Sequence, residues 1–513
     1  MQPLSHRIRR PFIQAAAALL VAAFGLVAVV PGLARAAEAK LTFLLVNDIY
    51  KIDGDKKRGG FSRLAAIVRA EKAKGGTVVY VHGGDTISPS LMSGFDRGAH
   101  IVEILNMVPP DVFVPGNHEF DFGPQIFRER MAALKSPLKL AANLREPNGE
   151  PVAGFKDSSV IEVDGVKIGI VGVTADDSPN KSSPGDLKFT DLIRTASAEA
   201  RKLKSGGVDF VVLVAHANRV QDFALIQSGA FDLILSGDDH DLALMFDGRT
   251  AMVESKEEGE YVTAVDLSIK AEERSGRRAV TWWPNFRIID SATVEPDPET
   301  EARVETYRKD LSRELDVEIA KLAVPLDSRS TTVRTGEAAI GNLIADGMRW
   351  ATGADIAITN GGGIRGNKQY VAGAPFSRRD VLVELPFGNR TLLLADTGDT
   401  ILAALENGLS QLGETGGRFP QISGATVEVD KSKPVGSRVV SVRIGGEPLD
   451  PKKTYKIAIN DFMGRGGDNY RMFIKSKPLL GERDSKLMAN DVMAYVKERG
   501  TIDQTVQGRI VIK

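Results

Sequence analysis

The residues with the clearest chemical potential lie together in the hexapeptide Gly-Asn-His-Glu-Phe-Asp at positions 116–121. The amide oxygen of Asn117 is a neutral metal ligand, and the neighbouring imidazole of His118 can donate a proton. The carboxylate of Asp121 can orient that imidazole. Such a cluster suits hydrolysis of a phosphate ester at a metal site. A surface loop with satisfied hydrogen bonds is the competing interpretation of this hexapeptide alone.

Other residues of metal-ligand type follow segments that have the composition of buried strands. They are Asp48, Asp85, His216 and His240, which join Asn117 and His118 as candidates. His118, His216 and His240 are three of only six histidines in the chain, which makes coincidence a poor account of their positions. Because carboxyl ends of parallel strands meet at one edge of a sheet, we expect these side chains to converge. The order along the chain is that of a two-metal phosphoesterase in which Asp85 bridges the ions.

The elements that must position these residues alternate between strand and helix patterns, which predicts a layered α/β fold. The predicted strands are Leu41–Val46, Thr77–Val81, Val112–Val114, Phe210–Ala215 and Phe231–Leu235, with a hairpin at Asp164-Gly165. The predicted helices are Phe61–Ala73, His100–Met107, Pro124–Leu134 and Asp191–Lys204. This region, 38–290, is the predicted catalytic domain.

A shift in composition at residues 291–326 predicts a linker and hinge. Glu295-Pro296-Asp297-Pro298 opens a charged stretch, and Arg303–Lys321 suits a solvent-exposed helix. The second domain, 327–513, is predicted to contain helices Ala338–Ala351 and Thr400–Leu409 and strands Ile356–Ile358, Ala425–Val429, Val439–Ile444 and Tyr455–Ile459.

Composition narrows the class of protein. With 513 residues and 42% hydrophobic content, the chain can bury a large core in two to four domains. Lys plus Arg (66) balance Asp plus Glu (67), so the chain has no large net positive charge that would attract nucleic acid or an anionic membrane. The absence of cysteine excludes thiolate metal sites, cysteine nucleophiles and lipidation through cysteine. We expect a monomer that acts on a small molecule.

The first 37 residues have the pattern of a secretory signal peptide. Arg7, Arg9 and Arg10 precede an apolar run from about 15 to 30, and Ala34-Arg35-Ala36 resembles a cleavage site. The adjacent arginines also resemble the twin-arginine export signature, so ordinary secretion and export after folding both remain open. An uncleaved anchor is a further alternative. The expected location is periplasmic or secreted.

These motifs resemble the metallophosphoesterase superfamily and, within it, the exported bacterial 5'-nucleotidase and UDP-sugar hydrolase family. The segment Gly59-Gly60-Phe61-Ser62-Arg63-Leu64 is similar to the one that follows the family's first metal motif. The resemblance spans roughly residues 41–513. It implies a four-layer β-sandwich flanked by helices, followed by an α/β substrate-binding domain that encloses the substrate against the metals.

The resemblance also assigns substrate-binding residues in the second domain. Asn360 and Arg365, in Asn-Gly-Gly-Gly-Ile-Arg, match its substrate motif, and consecutive glycines let backbone amides approach an anion. In the segment 460–470, Phe462 offers a stacking face for a base and Asp468 accepts hydrogen bonds from ribose. Phe419 is the candidate for the second stacking ring.

Two positions depart from the family pattern. Tyr50 stands where the family's Asp-x-His motif has histidine, and Asp238 replaces the first histidine of Gly-His-x-His. Both residues could ligate, giving a harder and more anionic site that favours manganese, magnesium or iron over zinc. Alternatively, Tyr50 does not contact the metal but lies next to its ligands, and a water molecule takes the vacant ligand position. A third interpretation is weak binding of the first metal, which leaves a feeble enzyme or a binding protein.

The resemblance implies a hydrolase that uses two divalent ions, with manganese, magnesium, iron and zinc as candidates. The ions would hold a water for in-line attack on a nucleoside monophosphate. Nucleotide sugars and cyclic nucleotides are further candidate substrates. His118 would stabilise the phosphoryl oxygens or protonate the leaving group, and Asp121 would fix its ring. The alternatives are a degenerate periplasmic nucleotide-binding protein and a thiosulfohydrolase of sulfur oxidation.

Overall fold

The computed structural model describes residues 37–513, except residues 56, 275 and 276. The predicted signal sequence lies outside the described residues, apart from its last position. Within the described part of the chain, no helix is long and apolar enough to cross a membrane.

Two sheets form the centre of the first half of the chain. The first has seven strands, in the spatial order Arg277–Asp290, Tyr261–Arg274, Ala37–Val46, Thr77–His82, Val112–Phe113, Leu138–Leu140 and Phe155–Lys156. The second has six, in the order Leu242–Phe246, Ala251–Ser255, Leu233–Gly237, Phe210–His216, Val166–Val173 and Ser158–Val163. Apolar residues from both sheets pack into one shared core, which makes a β-sandwich.

Helices cover the outer faces of both sheets, which gives the predicted four layers. Phe61–Ala73, Ala99–Leu105, Gly123–Ala133 and Pro298–Leu315 pack on the seven-stranded sheet. Leu192–Ser205 and Arg219–Ser228 pack on the other sheet. Short helices at Ser93–Asp96 and Ser178–Lys181, with 3-10 turns at His118–Phe120 and Ser291–Thr293, complete this half.

Parallel pairing places the site loops on a common edge. Ala37–Val46 runs parallel to Thr77–His82, and Phe210–His216 runs parallel to Leu233–Gly237. Every residue of Phe210–His216 is buried, as a near-continuous apolar run in a parallel sheet requires. The carboxyl ends of these strands therefore meet where the predicted ligands begin.

The connecting helix differs from the prediction in its bounds and its surroundings. It spans Pro298–Leu315, and the side chain of Asp297 accepts a hydrogen bond from the backbone N–H of Thr300 at its start. Val304 and Tyr307 are buried in the core beneath the seven-stranded sheet, so one face of the helix is packed. The last part of the predicted helix is instead the strand Glu318–Leu322, because Ile319, Ala320 and Leu322 enter the core of the second half.

The second half is built on a five-stranded sheet. Its strands, in spatial order, are Pro420–Ser423, Ile356–Asn360, Thr454–Asn460, Thr391–Thr397 and Lys477–Leu480. A four-stranded sheet contains Glu447–Pro448, Val439–Ile444, Ala425–Val429 and Ile510–Ile512. The α-helices are Ser330–Val333, Ala339–Thr352, Arg378–Glu384, Gly398–Gly408, Asp461–Gly464 and Met488–Arg499. Thus the fold is α/β throughout, as predicted.

Candidate functional site

The predicted metal ligands converge at the common strand edge. Asp48 and Asp85 follow strands of the first sheet. His216 is the last residue of one strand of the second sheet, and Asp238 directly follows another. The ligand atoms of Asp48, Asp85 and His216 lie within 4.8 Å of one another. The structure therefore brings both sheets' contributions into one cluster.

Four site residues hold a backbone conformation that non-glycine residues rarely adopt. The φ angles of Asp48, Asp85, Asp238 and His240 are 55°, 58°, 96° and 58°. Left-handed backbone costs about 1 kcal/mol or more at a non-glycine residue and persists where surrounding structure enforces it. Such strain concentrates at functional sites, because it aims side chains that a relaxed turn would direct elsewhere.

One group of atoms, called here the second position, combines Asp85, His216 and Asp238, and Asn117 belongs to the adjoining loop, in which the N–H of His118 donates to Oδ1 of Asp85 at 2.8 Å. Nε2 of His216 lies 3.2 Å from Oδ2 of Asp85 and 3.5 Å from Oδ1 of Asp238. The other ring nitrogen of His216 donates to the carbonyl of Gly83 at 2.9 Å, which leaves Nε2 for a ligand role. Both amide atoms of Asn117 are buried without a hydrogen-bond partner among the described residues.

The other group, called the first position, combines Asp48, Tyr50, Asp85 and His240. The hydroxyl of Tyr50 lies 3.1 Å from Oδ1 of Asp48, 3.5 Å from Oδ2 of Asp85 and 2.8 Å from Nε2 of His240. Nε2 of His240 is 3.5 Å from Oδ1 of Asp48. Asp85 contributes its Oδ2 atom to both groups.

The donor set fits metal ions at both positions. Ligands held at about 2.1 Å from an ion are separated by about 3.0–3.4 Å, and the separations measured within the two groups, 2.8–3.5 Å, are close to that spacing. The unpartnered amide of Asn117 is a polar group that a metal would satisfy. Gly116 has no room for a side chain, because an added Cβ would lie 2.1 Å from Oδ1 of Asp85. These residues therefore suit a metal centre, with oxygen donors in the majority.

Protonation shows how strongly the cluster attracts positive charge. Burial alone lowers the pKa of His216, but the carboxylates of Asp85 and Asp238 outweigh burial and raise it well above its usual value. Burial also raises the pKa of Tyr50, and the charges of Asp48 and Asp85 add to that effect. A bound cation would take over the role of these protons.

His118 is arranged as a proton donor beside the metal ligands. Its Nδ1 lies 2.8 Å from Oδ2 of Asp121, and both side chains are fully buried. Burial lowers the pKa of His118, but Asp121 and Asp85 outweigh burial and raise it to about 9. The imidazole is thus held charged and oriented, and the catalytic roles of this pair stay a prediction.

Glu119 fixes the loop that presents Asp85. Its carboxylate accepts hydrogen bonds from the backbone N–H groups of Asp85 at 2.8 Å, Thr86 at 2.7 Å and Gly116 at 2.6 Å. These three hydrogen bonds give Glu119 a structural role. It ties two ligand-bearing loops together.

A cation that the sequence did not single out lies beside the second position. Nζ of Lys181 is 3.4 Å from Oδ1 of Asp238 and 3.2 Å from Oδ1 of Asp484. Burial lowers the pKa of Lys181, but these carboxylates outweigh burial and raise it. The lysine compensates part of the negative charge that Asp238 adds to the site.

A segment of the second half of the chain, 483–486, sits directly on this centre. The carbonyl of Arg483 accepts a hydrogen bond from Nε2 of His118 at 2.7 Å, and Nζ of Lys486 donates to the carbonyl of Asp121 at 3.0 Å. The guanidinium of Arg483 also pairs with Asp239. In this arrangement, protein backbone occupies the proton-donating edge of His118.

A separate cavity in the second half gathers most of the predicted substrate residues. It has a volume of about 510 Å³, and its lining includes Asn360, Arg365, Phe462 and Asp468. The side chain of Phe462 is 39% exposed, so its face is open to a ligand. An added Cβ at Gly467 would lie 2.5 Å from that ring, which explains the glycine beside it.

Hydrogen bonds set the polar groups of this cavity. Nδ2 of Asn360 donates to Oδ2 of Asp468 at 2.6 Å, and Nδ2 of Asn460 donates to Oδ1 of Asn360 at 2.9 Å. Asp468 has a φ of 50°, another left-handed residue at a site. The buried Nε of Arg334, which also lines the cavity, has no hydrogen-bond partner among the described residues. Such a group suits an anionic ligand.

The prediction for Phe419 is corrected by its position. Its side chain is 3% exposed and packs in the apolar core of the second half, so it does not line the cavity. The second ring there is Phe387, which is 58% exposed and lies beneath the guanidinium of Arg365, 5.4 Å from the ring centroid. The sequence contained a signal for it, an aromatic residue in Leu385-Pro386-Phe387-Gly388 directly after the helix Arg378–Glu384.

Two family models match the two halves of the chain. Residues 41–242 match the calcineurin-like phosphoesterase family, and residues 318–475 match the 5'-nucleotidase C-terminal domain. The first match covers both sheets' ligand loops, and the second covers the cavity. Both agree with the resemblance inferred from the motifs.

Several proteins of known description are similar to this chain over most of its length. The chain is 30% identical over 485 residues to the trifunctional nucleotide phosphoesterase protein of Bacillus subtilis; the match covers 84% of this chain and 32% of that longer protein. The structure of a 5'-nucleotidase precursor from Thermus thermophilus shares 27% identity with a TM-score of 0.52, covering 92% of this chain and 99% of the other. The Haemophilus influenzae NAD nucleotidase, at 21% identity and a TM-score of 0.79, shares the fold over 93% of this chain and 99% of its own.

The matched domains and the converging donor set lead to the same classification. The chain belongs to the 5'-nucleotidase family of the metallophosphoesterase superfamily, and it is a phosphoric ester hydrolase of that family.

Proposed function

We propose that this protein hydrolyses nucleoside monophosphates to nucleoside and phosphate at a centre of two metal ions. The observation that carries the proposal is the pairing of two sites in one chain: a cluster of converging ligand atoms and a cavity with two exposed rings. The first suits a phosphate ester, and the second suits a nucleoside.

The cavity supports a nucleotide rather than a smaller phosphate ester. Phe387 and Phe462 offer two open aromatic faces to a base, which every nucleobase can stack on. Asp468 can accept hydrogen bonds from ribose hydroxyls. Arg365 and Arg334 supply positive charge for phosphate. A volume of about 510 Å³ lies within the range of small-ligand sites.

The metal centre supports hydrolysis rather than binding alone. Ions held there by Asp48, Asp85, Asn117, His216, Asp238 and His240 would polarise the phosphate and activate a water. His118, charged and oriented by Asp121, can stabilise a phosphoryl oxygen or give its Nε2 proton to the leaving oxygen. A binding protein that had lost its catalytic activity would need neither His118 nor Asp85. The presence of both residues therefore argues against that alternative.

Nucleotide sugars and cyclic nucleotides extend the proposed substrate range, because they present the same base, ribose and phosphate groups. A thiosulfohydrolase would make no use of the two aromatic faces, and their exposure therefore argues against it. The basic and apolar segment in residues 7–36 supports action in the periplasm or outside the cell.

The test is a substrate panel with purified protein that has been stripped of metal by a chelator. Manganese, magnesium, zinc and iron are restored separately, and product release is followed from AMP, a nucleotide sugar, a cyclic nucleotide and a thiosulfonate. We expect phosphate release from AMP that depends on the added metal. Binding of AMP without turnover under every metal would instead identify a nucleotide-binding protein, and turnover of the thiosulfonate alone would identify a thiosulfohydrolase.

A further inference from the structure

A cleft in the second half of the chain lies between the helix Ala339–Thr352 and the glycine turn at residues 445–446, which joins two strands of the four-stranded sheet. Its volume is about 790 Å³, within the range of small-ligand sites. We call it the arginine cleft, because Arg349, Arg443 and Arg509 belong to its lining.

The arginine cleft is separate from both sites described above. The cavity at the metal centre, of about 420 Å³, is lined by residues that include Tyr50, His240 and Arg483, and the nucleotide cavity is lined by Phe387 and Phe462. None of the described residues that line the arginine cleft lines either of these cavities. A ligand in the cleft would therefore leave both of them free.

Two of the three arginines carry positive charge that no carboxylate neutralises. Among the described residues, neither Arg349 nor Arg443 forms an ion pair. Nε of Arg349 donates to Oγ of Ser423 at 2.9 Å, and Nη1 of Arg443 donates to the carbonyl of Gly446 at 3.0 Å. A guanidinium has five N–H donors, so one such bond orients the group and leaves the others for a ligand.

The carboxylate in the lining, that of Asp346, is already engaged by the third arginine. Nη1 and Nη2 of Arg509 donate to its two oxygens at 2.7 and 2.8 Å, and Nε2 of Gln504 adds a bond of 2.9 Å. This bidentate pair is mostly buried, with side chains 12% and 16% exposed. Asp346 is therefore held away from Arg349 and Arg443, and the cleft keeps the charge of both.

The backbone beside Arg349 is built to accommodate its side chain. Gly424 has a φ of 79°, and a Cβ added there would lie 2.9 Å from Cδ of Arg349 and 2.3 Å from the carbonyl of Asp355. Any other residue at this position would displace the arginine. The guanidinium is thus directed across the cleft to the strand end at Ser423 rather than out into solvent.

An exposed aromatic face lies beside these charges. The side chain of Trp350 is 45% exposed, and its ring meets that of Tyr495, with centroids 5.9 Å apart and planes inclined at 49°. Both residues line the cleft. Trp350 directly follows Arg349 in the chain, so an indole face and an unpaired guanidinium are available to the same ligand.

We propose that the arginine cleft is a second nucleotide site, in which Arg349 and Arg443 hold the phosphate and Trp350 stacks on the base. The phosphate of a nucleoside monophosphate has a charge close to −2, which the two unpaired arginines match. Bases of every kind stack on an aromatic ring. The lining contains no histidine, and its carboxylate is bound to Arg509, so the site binds nucleotide without hydrolysing it. The proposal does not depend on hydrolysis at the metal centre.

The test uses the full chain, stripped of metal so that AMP is not consumed. The chain has three tryptophans, so Trp282→Phe with Trp283→Phe leaves Trp350 as the fluorescent reporter. We expect AMP to change the emission of this variant in a saturable manner. Calorimetry on the parent should detect a second molecule of AMP per chain, in addition to one in the nucleotide cavity.

Substitutions in the cleft separate its two contributions. Arg349→Gln with Arg443→Gln should weaken binding at the second site by at least about 100-fold, because two charge-assisted contacts are lost. Trp350→Ala should weaken AMP binding there by roughly 5- to 150-fold and leave binding of inorganic phosphate unchanged. The AMP that remains in the nucleotide cavity shows that each variant is folded. Arg201→Gln is the matched control, because Arg201 is also exposed and forms no ion pair among the described residues.

A single AMP per chain with no change in Trp350 emission would overturn the proposal, as would an emission change that persists in the double glutamine variant. A response to a single-stranded oligonucleotide but not to AMP would also overturn it and would identify a nucleic-acid surface. Failure here is distinct from failure of the proposed function. AMP hydrolysis without a second site would contradict the cleft assignment alone, and a second site without hydrolysis would leave that assignment standing.

Discussion

Nε2 of His118 donates a hydrogen bond to the backbone carbonyl of Arg483 across 2.7 Å, which joins the two halves of the chain at the metal centre. A phosphate that needs this imidazole must displace that carbonyl. The nucleotide cavity and the cavity at the metal centre also share no lining residue in this arrangement. We therefore propose that substrate docks in this arrangement and that the two halves reorient before His118 reaches the phosphate.

Locking the two halves together should abolish turnover. A Cβ added at Gly94 would lie 2.8 Å from Cγ of Asn490 on the other half, which brings the two Cβ atoms within disulfide range. The chain contains no cysteine, so Gly94→Cys with Asn490→Cys forms a single designed bridge. We expect the oxidised double variant to lose AMP hydrolysis and to regain it on reduction.

The two single-cysteine variants are the controls for that bridge, since they carry the same substitutions without the link. Full activity of the oxidised double variant, with the disulfide confirmed by thiol counting, would show that no reorientation is needed.

His118 and Asp121 should differ in how much their loss reduces turnover. His118→Asn removes the proton donor and should lower kcat by about 10²–10⁴-fold with little change in KM. Asp121→Asn keeps the ring in place but weakens the bond to Nδ1, and should lower kcat by roughly 10–100-fold. Steady-state kinetics with AMP measure both. Equal kcat in the parent and His118→Asn would remove His118 from the reaction.

Phe387 and Phe462 should determine affinity for the base. Stacking of a base on one aromatic ring is worth about 1–3 kcal/mol, so Phe387→Ala and Phe462→Ala should each lower kcat/KM for AMP by roughly 5- to 150-fold. An aryl phosphate that lacks nucleoside should be affected much less. If both substrates lose activity equally, the two rings support structure rather than base recognition.

Acid should remove a stabilising contact in the seven-stranded sheet. Arg287 donates to both carboxylate oxygens of Asp266, at 2.7 and 2.8 Å, and this bonding lowers the pKa of Asp266 to about 2. Because the folded pKa lies below the unfolded value of about 3.9, the stabilisation is complete above about pH 5 and is lost as pH falls toward and below 2.

We therefore expect Asp266→Asn to destabilise the protein by roughly 1–2 kcal/mol at pH 7 and by less at pH 3. Thermal unfolding at the two pH values measures the difference. The exposed Asp186→Asn variant serves as the control. A penalty that does not shrink in acid would contradict this assignment of the ion pair.

The sequence predicted that Asp48, Asp85 and His216 lie close together, because residues of this kind obey a local rule. Asp85 and His216 each come at the end of an apolar strand, and parallel strands deliver such ends to one edge. The pattern of buried residues also predicted the layers. Helix ends were less accurate, since Ile319 and Ala320 join a core that also contains residues as far along the chain as Ile502.

Contacts between distant segments were beyond the sequence. The bond from His118 to Arg483 joins positions 365 residues apart, and no periodicity encodes it. The sequence likewise could not show that Phe387 lines the cavity and that Phe419 is buried in the core. Both are single aromatic residues near glycine and proline, and only packing of the surrounding strands shows which ring is buried.

The most direct test of the account compares metal content and AMP hydrolysis in the parent and in Asp85→Asn. Asp85 lies in both metal positions, so its substitution should remove bound metal and phosphate release together while the fold is retained. We predict about two metal ions per parent chain, with turnover that chelation abolishes. Full phosphate release by Asp85→Asn, or a metal-loaded parent that releases none, would contradict the account.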